Sequence, residues 1–141
     1  MGVARWFDYT ADLEIPTNVL VDTALRRVVV RSALLAAITP WNYPVMEAAC
    51  RIAPAQLAAN AVVVKPSPYT PVSDLLVDLF AGISPTALSP RRSAETIWAP
   101  SSAKHPLVGK ATFTGSTGTG KEVYAAGAPD LEAHYAGVGW Q

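Results

Sequence analysis

The segment "KATFTGSTGTGKEVYAAGA", Lys110 to Ala128, decides the fold, because it joins a strand pattern, a glycine-rich loop and a helix pattern. The run "KATF" is typical of a strand, and "KEVYAAGA" is typical of a helix. In this order of elements, backbone N–H groups and the N-terminus of the helix can receive a phosphate group. An ordinary glycine-rich turn between a strand and a helix gives the same pattern, so the spacing alone favours neither interpretation.

The loop also comes within one residue of the P-loop of nucleotide triphosphatases. Gly115, Gly120 and Lys121 have the spacing of the motif G-x-x-x-x-G-K-[ST]. Glu122, however, replaces the hydroxyl that would hold Mg²⁺, and its carboxylate would repel the phosphates. Only the 20 residues from 122 to 141 follow Lys121, too few for the strands that would supply a metal-binding aspartate. We therefore expect neither a triphosphate site nor a metal site.

Three apolar runs upstream predict further strands. They are "RRVVVR" at 26–31, "LLAAIT" at 34–39 and "AVVVK" at 61–65. The last of these lacks the alternation of a half-exposed strand, so we expect it to be buried on both faces of its sheet.

Two helix patterns lie between these strands and the glycine loop. Pro44 occupies a favoured first position for the helix "VMEAACRIAPAQLAAN", which is expected to be interrupted near Pro54. A second helix is predicted to be capped by Thr70 and to begin at Pro71. Its apolar residues are spaced as on one helix face: Val72, Leu75, Leu76, Leu79 and Phe80. Residues 85–108 show no usable period. Strands alternating with helices predict an α/β fold with a doubly wound parallel sheet.

Composition limits the kinds of partner. Half of the 141 residues are apolar and 16% are charged, which suits one globular domain. Eleven basic residues balance eleven acidic ones, so neither a nucleic-acid partner nor a membrane partner is expected. The single cysteine, Cys50, cannot form an internal disulfide, and the N-terminus lacks the apolar stretch of a signal peptide. A cytoplasmic protein with a small-molecule or protein partner is the expectation.

Three long motifs resemble the NAD(P)-dependent aldehyde dehydrogenases. They are "AAITPWNYPV", "RIAPAQLAANAVVVKPSPYTP" and "HPLVGKATFTGSTGTGK". The resemblance spans most of residues 5–131 and implies a partial, Rossmann-like cofactor-binding domain at 1–131, with a poor match at 85–104. It also implies NAD or NADP as the cofactor and, in the intact family, an aldehyde that is oxidised through a thiohemiacetal on a cysteine. Because members of the family are several times longer, the chain resembles a fragment.

The resemblance implies roles for particular residues. Asn42 would donate its side-chain amide to the oxyanion that forms when a thiolate attacks the carbonyl, although asparagine is also common in turns. Lys65 would bind the adenosine ribose, unless it is a solvated charge at the end of a strand. Ser116 would hold the pyrophosphate, so the glycine loop would be a dinucleotide site. The remaining residues implied to line the cofactor site are Ile38, Thr39, Pro40, Trp41, Ser67, Gly115 and Gly120.

Pro68 bears on cofactor specificity, and Cys50 bears on catalysis. Where many members of the family carry a glutamate that binds the ribose hydroxyls, this chain has Pro68, so discrimination against NADP is expected to be weak. Cys50 lies on a predicted helix beside alanines and is expected to be a buried structural thiol. The nucleophile of the family would lie beyond residue 141. His105, in "KHPLVGK", corresponds to a frequent His-Pro of the family at a turn.

The tail at 132–141 fits the family badly. With codons chosen to be compatible with "EAHYAGVGWQ", skipping one base gives "KRITLELGG", which resembles the family. In the given sequence, the position of the general-base glutamate of that motif is held by Gly137. We expect an aberrant, frame-shifted tail and a chain that does not oxidise aldehydes alone. Two alternatives stay open: a non-catalytic nucleotide-binding or interaction module that associates with a full-length homologue, and a non-functional product.

Overall fold

The chain alternates helices and strands along its length. The computed structural model describes residues 2–14, 34–70, 72–83, 87–88 and 99–128. The elements are α1 (Val3–Ala11), β1 (Leu34–Ile38), α2 (Pro44–Leu57), β2 (Ala61–Lys65), α3 (Val72–Ala81), β3 (Ala87–Leu88), α4 (Ala99–Lys104), β4 (Val108–Phe113) and α5 (Thr117–Gly127). The predicted strand at 26–31, the first helical position at Pro71 and the tail at 132–141 lie outside the described residues.

The four strands form one parallel sheet in the order β3-β2-β1-β4. From β1 the chain moves outward through β2 to β3 and then returns to place β4 on the other side of β1. The order therefore reverses between β1 and β4, and in open α/β sheets ligands bind beyond the carboxyl ends of the strands at such a point. The predicted doubly wound parallel sheet is confirmed.

Helices cover both faces of the sheet, as a doubly wound fold requires. On the first face α2 packs against β1 and β2, and the buried cluster is Leu35, Ala37, Ala48, Ile52, Ala55, Val62 and Val64. On the second face α4 and α5 pack against β1 and β4, and the buried cluster is Ala36, Ile38, Ala99, Ala103, Ala111, Phe113 and Val123. The central strand β1 is thus buried on both faces, which explains its unbroken run of small and aliphatic residues.

The predicted burial of β2 on both faces is wrong. Val62 and Val64 are buried, but Val63 between them is half-buried. The helices of the second face lie over β1 and β4, so the side chain of Val63 receives only partial cover. A run of three valines therefore does not distinguish a strand buried on both faces of its sheet from one that is covered well on a single face.

The helix α2 begins at Pro44 as predicted, but it continues through Pro54 to Leu57. Proline removes one backbone hydrogen bond from a helix. Here Pro54 is exposed near the C-terminal end, while Ala53 and Ala55 beside it are buried. Burial of these alanines, with Ala55 in the cluster of the first face, favours the last turn despite the lost bond.

The apolar stripe of α3 is only partly in the core. Leu76 and Phe80 pack against the cluster of the first face, and the Phe80 ring lies 4.8 Å from that of Phe7 in α1. The other three residues of the predicted face are exposed: Val72, Leu75 and Leu79. The hydroxyl of Thr70, predicted to cap this helix, has no hydrogen-bond partner among the described residues.

Residues 85–108, which show no period in the sequence, contain β3, α4 and the start of β4. α4 is a six-residue helix that buries Ala99, Pro100 and Ala103. A helix this short has fewer than two full turns, and a proline at its second position is tolerated. Such an element leaves almost no periodic signal in the sequence.

Candidate functional site

The carboxyl ends of β1, β2 and β4 lie at one edge of the sheet because the three strands are parallel. We call this the carboxyl edge. The backbone N–H of Thr39 donates to the Lys65 carbonyl at 3.1 Å, and the N–H of Thr114 donates to the Ile38 carbonyl at 3.2 Å. These bonds join the three strand ends. The predicted cofactor residues at 38–41, at 65 and 67, and at 115–116 end or follow these strands, so the structure places them at one edge, whereas Gly120 lies inside α5.

The segment after β1 presents unpaired polar atoms at the carboxyl edge. Thr39 is 3% exposed, and its hydroxyl has no hydrogen-bond partner among the described residues. The Oδ1 atom of half-buried Asn42 is also buried without a partner in that part of the chain. An asparagine that forms an Asx turn accepts a backbone N–H at this oxygen, so Asn42 does not form one. Buried polar atoms normally have partners, so the described residues leave the hydrogen bonding of these two oxygens unsatisfied. Pro40 beside them is buried, whereas Trp41 is exposed.

Lys65 ends β2 and is half-buried at this edge. Burial lowers the pKa of its ammonium group, because the charged form loses hydration. Lys65 forms no ion pair with the carboxylates of the described residues. A bound phosphate or hydroxyl-rich sugar would compensate for this lost hydration.

Ser67 stabilises the turn that follows β2. It is 8% exposed, its hydroxyl accepts the N–H of Tyr69 at 3.3 Å, and its carbonyl accepts the N–H of Thr70 at 3.1 Å. These bonds account for its burial without a ligand. Pro68, next to it, is exposed.

The glycine loop runs directly from β4 into α5. A Cβ atom at Gly115 would lie 2.6 Å from the ring of Phe113, so a larger residue would force the ring or the loop to shift. Ser116 caps α5, because its hydroxyl accepts the N–H of Thr119 at 3.3 Å and donates to the hydroxyl of that residue at 3.0 Å. α5 begins at Thr117, ahead of the segment "KEVYAAGA" that the sequence predicted to be helical. The positive end of its dipole therefore lies at the carboxyl edge. Gly120, the other glycine of the predicted site, is buried in α5.

Sequence reasoning missed Arg51, which connects α2 to the glycine loop. Its guanidinium donates to the Glu47 carboxylate at 2.6 Å and, through the other terminal nitrogen, to the hydroxyl of Thr114. The spacing of Glu47 and Arg51 at i and i+4 is a recognisable sequence signal. The contact with Thr114 spans 63 positions and leaves no signal in a single sequence.

Cys50 is half-buried, so the prediction of a buried thiol is wrong. Cys50 lines a cavity of about 270 Å³ on the first face of the sheet. The lining residues are Leu35, Cys50, Arg51, Pro54, Ala55, Ala58, Asn60, Lys110 and Thr112. Burial raises the pKa of the Cys50 thiol, the Glu47 carboxylate raises it further, and Arg51 lowers it. The thiolate fraction at neutral pH is therefore small.

Alkylation of Cys50 by iodoacetamide at neutral pH is expected to be slower in the folded chain than in urea. The pH range over which the rate rises should be higher for the folded chain than for the chain in urea, because folding raises the pKa of the thiol. Glu47→Gln removes a charge that raises the pKa and should speed alkylation by a factor of a few. Arg51→Met removes a charge that lowers it and should slow the reaction. Equal rates in the folded and unfolded chain would contradict this account.

Lys121 and Glu122 are both exposed on α5, and His105 lies in the turn before β4, where its Nδ1 accepts the N–H of Leu107 at 3.2 Å. Within the described ranges, no helix has the length and apolar character needed to cross a bilayer.

Comparison with known proteins gives a consistent picture. A profile described as the aldehyde dehydrogenase family matches residues 9–139. The chain is 35% identical over 132 residues to the aldehyde dehydrogenase LUC3 of Fusarium sp, covering 92% of this chain and 28% of that protein. It is 36% identical over 146 aligned positions to the phenylacetaldehyde dehydrogenase of Pseudomonas fluorescens, covering 92% of this chain and 29% of that protein.

A solved structure agrees with these sequence relatives. PnpE from Pseudomonas sp. WBC-3 superposes with a TM-score of 0.74 and 31% identity, covering 97% of this chain and 29% of that chain. The same figures hold for its complex with nicotinamide adenine dinucleotide. The chain thus spans less than a third of the length of these relatives.

Proposed function

The chain belongs to the aldehyde dehydrogenase family, and from this premise we propose that it binds a nicotinamide dinucleotide at the carboxyl edge of its sheet. In this proposal residues 1–131 form part of the cofactor-binding domain, and residues 132–141 are an aberrant tail. The aldehyde substrate belongs to a longer protein of the family, and this chain alone does not oxidise it.

One observation supports the proposal above the others. The ends of β1 and β2 and the N-terminus of α5 lie at the reversal of strand order. They bring together a half-buried lysine, a helix dipole and two buried oxygens that have no hydrogen-bond partner among the described residues. This set suits a ligand that carries both a negative charge and sugar hydroxyls. PnpE, which shares the fold, has been solved with nicotinamide adenine dinucleotide.

Each group at the carboxyl edge has a proposed role. The ammonium of Lys65 binds the adenosine ribose, and the N-terminus of α5 with Ser116 and Gly115 holds the pyrophosphate. Backbone and side-chain atoms of 38–41 line the cofactor, and Ser67 shapes the wall of the site. When bound, the nicotinamide supplies the acceptor for hydride. The amide of Asn42 donates to the oxyanion when a thiolate attacks an aldehyde.

Cofactor preference depends in this proposal on Pro68. The residue is exposed beside Ser67 and bears no charge, so nothing at this position repels a 2′-phosphate. We expect similar affinities for NAD and NADP. Pro68→Glu should weaken NADP relative to NAD by about 10-fold or more, because a carboxylate beside a phosphate costs several kcal/mol. Calorimetric titration with both cofactors checks this, and a strong preference for NAD in the unaltered chain would contradict it.

A titration with matched lysine variants tests the site itself. Lys65→Met should weaken NAD binding by about 10-fold or more, because a hydrogen bond from a charged group is lost. Lys104→Met is the control, since Lys104 ends α4 ahead of β4, away from the carboxyl ends of the strands. Equal losses in both variants would indicate nonspecific attraction between the dinucleotide and positive charge. Binding unchanged in Lys65→Met would exclude the proposed role of Lys65.

A second candidate function rests on the exposed apolar stripe of α3. Val72, Leu75 and Leu79 lie on one helix face and are 40%, 65% and 67% exposed, and exposed apolar patches are often contact surfaces. This favours an interaction module that associates with a full-length homologue. Co-purification with an intact family member, compared between the unaltered chain and Leu75→Lys, separates the two candidates. Association that Leu75→Lys does not affect would argue against this surface.

A further inference from the structure

Arg51 connects α2 to the start of the glycine loop. The proposed cofactor site requires the two to keep a fixed relative position. One terminal nitrogen donates to the Glu47 carboxylate and to the Glu47 carbonyl, both at 2.6 Å. The other donates to the hydroxyl of Thr114. The Arg51 side chain is 15% exposed and that of Glu47 is 31% exposed, so water screens the ion pair only in part.

Thr114 is the point from which the glycine loop starts. Its N–H is bonded to the carbonyl of Ile38, and its hydroxyl is held by Arg51. Only Gly115 separates it from Ser116, the N-cap of α5. With so short a connection, the position of Thr114 sets where the cap and the first N–H groups of α5 lie.

An arginine side chain has many rotamers, and restricting them costs conformational entropy. The Glu47 carboxylate opposes this cost, because it holds the guanidinium by an i, i+4 ion pair on the same helix. With Glu47 in place, the second terminal nitrogen of Arg51 points at Thr114. Without the carboxylate, only the bond to the Glu47 carbonyl holds the guanidinium on its own helix, so we expect the Thr114 hydroxyl to keep its donor for less of the time.

We infer that Glu47 is a positioning residue for the dinucleotide-binding loop, acting through Arg51 on the hydroxyl of Thr114. The inference rests on the proposed function for its benefit to cofactor binding, but the loop geometry itself does not require a ligand. The Glu47 carboxylate accepts from Arg51, and its expected effect on the cofactor passes through this contact and that of Arg51 with Thr114.

Hydrogen exchange without cofactor tests the positioning directly. The reporters are the amides of Thr119 and Gly120, which are bonded to the side chain and carbonyl of Ser116. Glu47→Ala and Thr114→Val should each speed exchange at these amides several-fold. Glu47→Gln, which retains an acceptor, and Thr114→Ser, which retains the hydroxyl, should exchange nearly as the unaltered chain does.

The double variant Glu47→Ala/Thr114→Val adds a readout that a merely structural role would not give. If both residues act through Arg51, the double variant should exchange no faster than the faster single variant, because residues in one network are not additive. The inference would be overturned if the increase in exchange rate in the double variant equalled the product of the increases in the two single variants. Fast exchange in Thr114→Ser would overturn it as well. Thermal unfolding of each variant, measured in parallel, separates loss of loop order from loss of the fold.

Calorimetry with NAD completes the test. Glu47→Ala should raise the Kd by roughly 3-fold to 10-fold, whereas Glu47→Gln should raise it less, as expected for coupled contacts. If the unaltered chain does not bind NAD but the exchange pattern holds, the proposed function fails and the positioning role stands. If it binds NAD while Glu47→Ala changes neither exchange nor Kd, the positioning role fails and the proposed function stands.

Discussion

Gly115→Ala is expected to destabilise the chain by about 1–3 kcal/mol, the usual cost of overpacking a core. The added methyl group would lie 2.6 Å from the Phe113 ring. Phe113 is 4% exposed within the buried cluster of the second face, so its ring has little room to move. Either the ring or the loop must shift, and a shift of the loop displaces the N-terminus of α5. NAD binding should therefore weaken by at least about 10-fold, which corresponds to 1.4 kcal/mol.

Gly118→Ala is the matched control for stability. A Cβ atom at Gly118 meets nothing within 4 Å, and the residue lies inside α5. Alanine at a helical position is favoured over glycine by roughly 0.5–1 kcal/mol, so the control should be at least as stable as the unaltered chain. Urea unfolding measures both free energies. If the two variants are equally stable, the close approach of Gly115 and Phe113 is wrong.

The second large effect is the absence of aldehyde oxidation by this chain alone. Covalent oxidation requires a thiolate beside the oxyanion donor, and Cys50 is the single thiol of the sequence. Cys50 lies within α2 and lines the cavity of the first face, whereas Asn42 precedes α2 at the carboxyl edge. Burial also raises the pKa of the thiol. We therefore expect no formation of NADH or NADPH.

The assay compares the unaltered chain with Cys50→Ala on short and aromatic aldehydes. An intact family member, the phenylacetaldehyde dehydrogenase of Pseudomonas fluorescens, serves as the positive control for the assay. Both forms of the chain should give only the background rate. Turnover that disappears in Cys50→Ala would show that the thiol is a nucleophile and that the chain is a complete catalyst.

The parts of the fold that the sequence predicted are those that local physics determines. β1 and β4 follow from apolar runs next to a proline or a glycine loop, and the start of α2 follows from Pro44. Parallel pairing follows from the alternation of strands with helices. The placement of site residues at one edge is then a consequence of topology.

What the sequence did not reveal depends on contacts between distant segments. The spacing of apolar residues in α3 indicated one buried face, but cover for Leu75 and Leu79 depends on what packs against the helix, which spacing does not encode. α4 is too short to show a period. The contact of Arg51 with Thr114 brings a side chain of α2 to the residue that follows β4, which depends on tertiary packing. Val63 is half-buried because the helices of the second face lie elsewhere.

The central claim is that the carboxyl edge binds a nicotinamide dinucleotide, and amide chemical shifts during titration with NAD test it most directly. We predict that perturbed amides fall in three groups: 39–42 after β1, 65–67 at the end of β2, and 115–120 in the glycine loop. Amides at 104–107, ahead of β4, should not move. Shifts confined to 104–107 or to α3, or no shifts at NAD concentrations that saturate PnpE, would contradict the claim.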